Sequence, residues 1–148
     1  MRHVLISLIV FFTASAASAA PEAKDAWIRL VPGQANAAGY LSLSATANDA
    51  LVGAISDCCT RVEIHEMTMD GDVMRMRQVD EVALPAGETV TFAPMGYHIM
   101  LIGLKTPPAN GTAIPLKLSY ESGFSETVAF TVKLVGAESQ GHDHGGHH

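Results

Sequence analysis

The chain has 148 residues and a formal net charge of −6 at pH 7, and its length suits one domain of ordinary size. The acidic balance disfavours nucleic acid and anionic membrane surfaces as partners and suits the capture of cations. Two cysteines stand against seven methionines. The methionines that crowd the middle of the chain, beside His65 and His98, are Met67, Met69, Met74, Met76 and Met100.

The N-terminus has the features of a secretory signal peptide. Arg2 precedes an apolar run over residues 4–12, which is too short to span a bilayer, and an A-x-A cleavage pattern follows at residues 17–19. We therefore expect residues 1–19 to be removed and the mature chain to reach the periplasm without stable membrane insertion. In that oxidising compartment, thioethers are safer metal ligands than thiolates.

The elements predicted after the signal peptide are short β-strands, because apolar alternation is repeatedly broken by Gly, Pro, Asn and Asp. In chain order they cover residues 25–31, 37–45, 51–55, 61–69, 73–79, 89–92, 98–104, 114–120 and 126–134. Many short strands at this spacing predict an all-β fold, a Greek-key β-sandwich or barrel with cupredoxin-like or immunoglobulin-like architecture. We expect the domain to span residues 20–134.

The segment from 135 to 148 differs in composition from the domain. A small polar linker leads into a His-rich tail, which cannot form a core and is expected to be disordered without metal. The histidines of the tail are His142, His144, His147 and His148.

The central histidines and methionines form a candidate metal-ligand pattern. Its spacing is H-x10-M-x21-H-x-M, made by His65, Met76, His98 and Met100. Residues two apart on a strand share a face, so His98 and Met100 can point to one place. A hairpin turn predicted at residues 70–71 would fold Met76 back beside His65. Thioethers are soft donors that favour Cu(I), and imidazole suits copper in general.

Two alternatives remain open for the methionines. Met67 lies two residues after His65 and competes with Met76 as a donor, so it is a candidate accessory ligand. Methionines also commonly fill apolar cores. Against a core role, alternation places Met67 on the same face as Glu63 and His65, which is the polar face of the predicted strand.

The adjacent cysteines, Cys58 and Cys59, allow a structural and a functional interpretation. We favour a turn with a vicinal disulfide or two small buried thiols, and the alternative is an accessory thiolate copper site near His65. Cys59, His65 and Met69, with His98 as a second histidine, also roughly mimic the ligand set of a blue-copper site.

Six further segments match one known family, in the same order and around the same spacing. They are AWIR (26–29), AGYL (38–41), VEIHE (62–66), VMRMR (73–77), LPAGE (84–88) and GYHIML (96–101). Together with the histidine–methionine pattern they make residues 25–134 resemble the bacterial periplasmic copper chaperones of the PCu(A)C family.

This resemblance implies a cupredoxin-like β-fold and a Cu(I) site at His65, Met76, His98 and Met100. It implies delivery of copper to an acceptor such as the CuA centre of cytochrome c oxidase subunit II, or to other periplasmic copper proteins. A His-rich C-terminal extension occurs in part of that family, and it implies added Cu(II) binding by the tail.

Other functional classes are less well supported by the sequence. A blue-copper-like electron carrier and a periplasmic metal scavenger or storage protein working through the tail are the alternatives. No G-x-S-x-G or similar nucleophile motif occurs, so we do not expect an enzyme.

Overall fold

The structure of the protein is a computed structural model, and it describes residues 19–136. The predicted signal peptide, apart from Ala19, and the histidines of the predicted tail lie outside the described residues. Within the described range, no helix is long and apolar enough to cross a membrane.

The described chain consists of strands joined by turns. The strands are β1 (Glu22–Leu30), β2 (Asn36–Ser44), β3 (Asp49–Ile55), β4 (Cys59–Asp70), β5 (Val73–Gln78), β6 (Val82–Leu84), β7 (Thr89–Thr91), β8 (Tyr97–Leu104), β9 (Ala113–Tyr120) and β10 (Ser125–Leu134). The all-β prediction is confirmed, and every predicted strand is present within a few residues of its expected bounds. Strand β6 was not predicted, because its three residues are too few for alternation to be recognised.

All strands join one hydrogen-bonded sheet, whose order is β5-β4-β8-β2-β1-β10-β9-β3-β6 with β7 paired to β2 beside this path. The first and last strands, β1 and β10, run parallel, while the other pairs are antiparallel. The end strands of this order, β5 and β6, do not pair with each other, so the sheet does not close into a barrel. It folds over one apolar core.

The core determines which face of the strands carrying the histidines points outward. Ile64 of β4 is 4% exposed, and Ile99 and Leu101 of β8 are fully buried in the main apolar cluster. Because successive side chains of a strand point to opposite faces, the residues between these anchors lie on the outer face of the sheet. The outer face of β4 and β8 is therefore where the polar candidates must be sought.

Hydrogen bonds to the Asp49 side chain connect the β9–β10 turn to the start of β3. Its Oδ1 atom accepts hydrogen bonds from the backbone N–H groups of Ala50 (2.8 Å) and Ser122 (3.0 Å), and its Oδ2 atom accepts one from the Ser122 hydroxyl (2.6 Å). Desolvation raises the pKa of Asp49, but these hydrogen bonds outweigh it and hold the pKa below the ordinary value.

Replacing Asp49 with Ala should lower the free energy of unfolding by about 1–3 kcal/mol at neutral pH, because these hydrogen bonds are lost. A carboxyl whose pKa is lowered in the folded state stabilises the fold above its unfolded-state pKa and loses that effect as the pH falls through the folded-state pKa. Urea unfolding at neutral and acidic pH should therefore show the deficit of the variant shrinking in acid.

Asp49→Asn is the matched control, because it keeps the Oδ1 acceptor and removes the ionisable group. This variant should be less destabilised than Asp49→Ala at neutral pH. An Asp49→Ala deficit of the same size at both pH values would contradict the assigned role of the charge.

Candidate metal centre

The two central histidines face each other across the β4–β8 strand pair. His65 and His98 are direct register partners, and their ring centroids are 5.6 Å apart. Both lie on the outer face of the sheet, yet they are only 8% and 5% exposed. The pair therefore forms a shielded polar site on the side of the sheet that faces away from the core.

Strand β5 brings a thioether to these imidazoles. Met76 pairs with Met67 across the β4–β5 hairpin, and the Met76 Sδ atom lies 3.2 Å from His98 Nε2. The Met76 side chain remains 50% exposed. One nitrogen donor and one sulfur donor thus meet at a point that is open to solvent on the sulfur side.

Met100 completes the predicted set by its place in the sheet. It lies two residues after His98 on β8 and is the register partner of Glu63 on β4 and of Ala38 on β2. Directly paired residues share a face, so Met100 points to the same side as the two histidines. The structure thus places all the predicted core ligands on one face, with His65, His98 and Met76 grouped by direct contacts.

A turn before β8 orients the His98 ring. The Gly96 N–H donates to the Ala93 carbonyl at 3.0 Å, and the Gly96 carbonyl accepts the Met67 N–H at 3.1 Å. The same carbonyl lies 3.3 Å from His98 Nδ1. In the tautomer that donates Nδ1–H to Gly96, the Nε2 lone pair points towards Met76, as a metal-binding imidazole requires.

Burial favours the neutral form of His98. Desolvation lowers the pKa of His98 and the neighbouring His65 lowers it further, while the hydrogen bond to Gly96 opposes both effects. A histidine must be neutral to bind a metal, so the surroundings of His98 suit a ligand.

His65 is held by a carboxylate. Its Nε2–H donates to Glu63 Oε2 at 2.7 Å, and the Glu63 Oε1 atom forms an ion pair with Arg61 Nε, also at 2.7 Å. The hydrogen bond from His65 is the main cause of the lowered pKa of Glu63; desolvation opposes it and Arg61 adds to it. Metal-binding histidines commonly donate their second ring nitrogen to a carboxylate in this way.

The other ring nitrogen of His65 lacks a partner. His65 Nδ1 is buried and makes no hydrogen bond to any of the described residues. A buried polar atom without a partner costs about 1–3 kcal/mol. A cation bound at this nitrogen would remove that cost, so the observation fits a metal site.

Several residues around the histidines were not predicted from the sequence. Tyr40 lies beside His98 with ring centroids 6.5 Å apart, and Trp27 packs against Tyr40 at 4.9 Å. The role of Glu63 had a readable signal, since it lies two residues before His65 on the same strand face. Gly96 had none, because its part is played by a backbone carbonyl.

The cysteines are remote from this site. Cys58 and Cys59 are free thiols with their sulfur atoms 3.2 Å apart, and Cys59 is 4% exposed within the core. Burial is the main cause that raises the pKa of the Cys59 thiol to about 12. Cys59 and His65 are six residue steps apart along an extended strand, which is about 20 Å between their Cα atoms. The thiolate site near His65 and the blue-copper ligand set are therefore wrong. The favoured structural interpretation holds in part: Cys59 is a buried thiol at the start of β4, whereas Cys58 is half-buried and no vicinal disulfide is formed.

Oxygen and thiolate donors do not make an alternative centre. Among residues 19–136, no group of three or more His, Cys, Asp and Glu side chains could hold a metal ion. The candidate centre therefore depends on the thioethers in addition to the two imidazoles. The fold and the site together define a small all-β protein with a candidate soft-metal centre on the outer face of its sheet.

Comparison with known proteins gives the family. Residues 22–132 match the family model described as "Putative lipoprotein LpqE-like". A relative from Leifsonia xyli subsp. xyli (strain CTCB07), named "Putative lipoprotein Lxx21020", is 32% identical over 114 residues, which cover 76% of this chain and 69% of the relative. The chain belongs to the LpqE-like family.

The fold of this chain is similar to those of several solved structures. The copper-bound PCuAC domain from PmoF2 is 25% identical with a TM-score of 0.66, covering 80% of this chain and 96% of that domain. The solution structure of CuI-DR1885 from Deinococcus radiodurans is 28% identical with a TM-score of 0.59, covering 81% and 83%. The resemblance to PCu(A)C proteins inferred from the sequence is thus supported by the PmoF2 neighbour, which is named a PCuAC domain, while the matching family model is LpqE-like.

Replacing Glu63 with Ala should weaken Cu(I) binding about 10–100-fold, because His65 loses the acceptor that fixes its ring. Glu63→Gln keeps an acceptor for the Nε2–H group and should retain most of the affinity. Competition with a chromophoric Cu(I) chelator under anaerobic conditions measures both variants.

Glu66→Ala is the matched control for this experiment. Glu66 lies on the same strand but on the opposite face, where it pairs with Arg77. This variant removes the same charge without touching His65. An equal loss of affinity in Glu66→Ala and Glu63→Ala would mean that net charge, and not the orientation of His65, is responsible.

Proposed function

We propose that this protein is a periplasmic copper chaperone, which binds Cu(I) as cargo at His65, Met76, His98 and Met100 and passes it to another protein. One observation carries the proposal. His98 Nε2 and Met76 Sδ lie 3.2 Å apart, on the same face of the sheet as the unpartnered Nδ1 of His65.

The chemistry of the donors supports a soft ion as the cargo. Two imidazoles and two thioethers supply neutral donors, a set that favours Cu(I) over hard cations. Zinc more often recruits thiolates or carboxylates. The nearest carboxylate, Glu63, already accepts from His65 and pairs with Arg61. The similar PmoF2 domain is copper-bound and the similar DR1885 structure is of its CuI form, which agrees with this choice.

The unequal exposure of the donors suggests a route for transfer. Met76 is 50% exposed, whereas His65 and His98 are almost fully buried. An incoming ligand of an acceptor can displace the exposed thioether first while the imidazoles still hold the ion. Each step then exchanges one donor for another, and free copper need not be released.

The acceptor we propose is the CuA centre of cytochrome c oxidase subunit II, or another periplasmic copper protein. The expected signal peptide would bring the chain to the compartment of these acceptors. The word lipoprotein in the name of the relative also agrees with export to the cell envelope.

Replacing Met100 with Leu should lower the Cu(I) affinity by about tenfold or more, because Leu preserves the apolar bulk and removes the sulfur donor. Met95→Leu is the control, since Met95 is 67% exposed in the turn before β8 and outside the ligand pattern. Chelator competition gives the affinities, and X-ray absorption should show one fewer sulfur neighbour in Met100→Leu. Equal affinities of the two variants would overturn the assignment of Met100.

The His-rich tail is proposed as a separate Cu(II) collector. His142, His144, His147 and His148 offer imidazoles, which suit Cu(II). Copper would enter the core site as Cu(I), after an external one-electron donor has reduced it. The small polar linker predicted from the sequence would keep the tail at a high effective concentration near the domain.

Truncation after Gln140 should sharply reduce Cu(II) binding and leave Cu(I) binding nearly unchanged. Separate titrations of the full mature chain and the truncated chain with each oxidation state make the comparison. Intact Cu(II) binding after truncation would mean that the tail is not the collector.

A further inference from the structure

The β4–β5 hairpin carries a row of methionines on one face. Met67 pairs with Met76 and Met69 pairs with Met74 across the two strands. Paired residues share a face, and so do residues two apart on one strand. All four side chains therefore lie on the face that also carries His65 and His98. We call Met67, Met69, Met74 and Met76 the thioether row.

Two ion pairs of the hairpin lie on its opposite face. Arg77 Nε donates to Glu66 Oε1 at 2.7 Å, and Arg75 Nε donates to Asp70 Oδ2 at 2.9 Å. The hairpin is thus divided into a face of ion pairs and a face of sulfur atoms. The carboxylates of Glu66 and Asp70 are engaged on the far side. Glu63 lies on the same face as the thioether row, but it already accepts from His65 and pairs with Arg61. The thioether row itself presents neutral donors.

Packing does not account for the outer part of the thioether row. Every residue of β5 is exposed, and β5 is the edge strand of the sheet. Met69 is 62% exposed and Met74 is 39% exposed, so neither fills the core. An apolar side chain left in solvent gains little hydrophobic stabilisation, and Met69 forgoes most of it. What distinguishes these side chains from other apolar ones is the sulfur atom.

We infer that Met67, Met69 and Met74 form a second site for a soft monovalent cation, adjacent to the core site. Directly opposed side chains have Cβ atoms about 4.5–5.5 Å apart, and diagonal neighbours are within reach of long side chains. Methionine has three rotatable side-chain bonds, so three thioethers from these positions can converge on one ion. Cu(I) and Ag(I) are the cations that such a donor set accepts.

This second site deepens the proposed function and rests on it. Met67 is the cross-strand partner of Met76, whose sulfur lies beside His98. An ion held at the tip of the hairpin is therefore one pair of side chains from the core site. The outer site binds more weakly, because it lacks imidazole and must order exposed side chains. It serves as the entry point from which the ion moves to the imidazoles.

Titration with Ag(I) of the full mature chain, labelled with ¹³C at the methionine methyl groups, tests both sites by NMR. The methyl signals of Met76 and Met100 should shift first, and those of Met67, Met69 and Met74 should shift in a later phase. The signal of Met95 should stay in place throughout. Imidazoles such as those of the tail also take up Ag(I), so several equivalents are added until no methyl signal moves further.

The double variant Met69→Leu/Met74→Leu separates sulfur ligation from apolar docking. It keeps the apolar surface but removes two sulfur atoms, so the later shift of Met67 should disappear while the first phase is unchanged. Met95→Leu is the matched control and should leave both phases intact. If the thioether row served only as an apolar docking surface for the acceptor, the native chain would show no later phase.

The failure of this inference is distinct from the failure of the proposed function. Methyl signals of Met69 and Met74 that never shift, or a later phase that survives in the double Leu variant, would overturn the second site alone. A single phase in which all these methyl signals move together would also overturn it. Signals of Met76 and Met100 that stay fixed would instead overturn the proposed core site.

Discussion

The register between β4 and β8 is the constraint on which the candidate centre depends. It pairs Ile64 with Ile99 on the inner face, and the next pair, His65 with His98, lies on the outer face. A slip by one residue would exchange these faces, taking the histidines into the core and the isoleucines into solvent. Burial of Ile64 and Ile99, at 4% and 0% exposure, makes that slip costly. The apolar core therefore positions the polar site on the opposite side of the sheet.

The two imidazoles are oriented by different kinds of partner. Glu63 holds Nε2 of His65, whereas the Gly96 carbonyl faces Nδ1 of His98. On His65 the remaining nitrogen, Nδ1, has no partner, and on His98 the remaining nitrogen, Nε2, faces the Met76 sulfur. Orientation before binding reduces the side-chain entropy that binding would otherwise cost. The unpartnered His65 Nδ1 is a local conflict of the kind that folded proteins retain at functional sites.

The position of β5 at the edge of the sheet makes its methionines accessible to ligands and also exposes the strand to pairing with other chains. An exposed edge strand with apolar side chains can pair with another chain and aggregate. Arg75 and Arg77 place charges on this edge, which is one way in which natural sheets discourage such pairing. The same edge leaves Met76 open to solvent beside two buried histidines. The hairpin can therefore present sulfur donors to an ion or an acceptor while its charged face limits self-association.

The sequence by itself determined the features that depend on local alternation and side-chain chemistry. The all-β class, the strands, the common face of His98 and Met100 and the preference for a soft ion could be read from it. Strand β4 was expected to begin at Arg61, which left Cys58 and Cys59 in a turn of unknown direction. Once the strand includes Cys59, the rise per residue alone separates that thiol from His65 by about 20 Å.

Only the tertiary structure decided which atoms meet. The pairing of His65 with His98 joins strands that are remote in sequence, and core packing sets that register. The assembled sheet also places the Glu63 carboxylate against His65 and the Gly96 carbonyl against His98. It leaves the Met76 side chain half-exposed. Alternation specifies the face on which a side chain lies, because it is a property of one strand. It cannot specify the partner across the sheet, because that depends on how separate strands pack on a shared core.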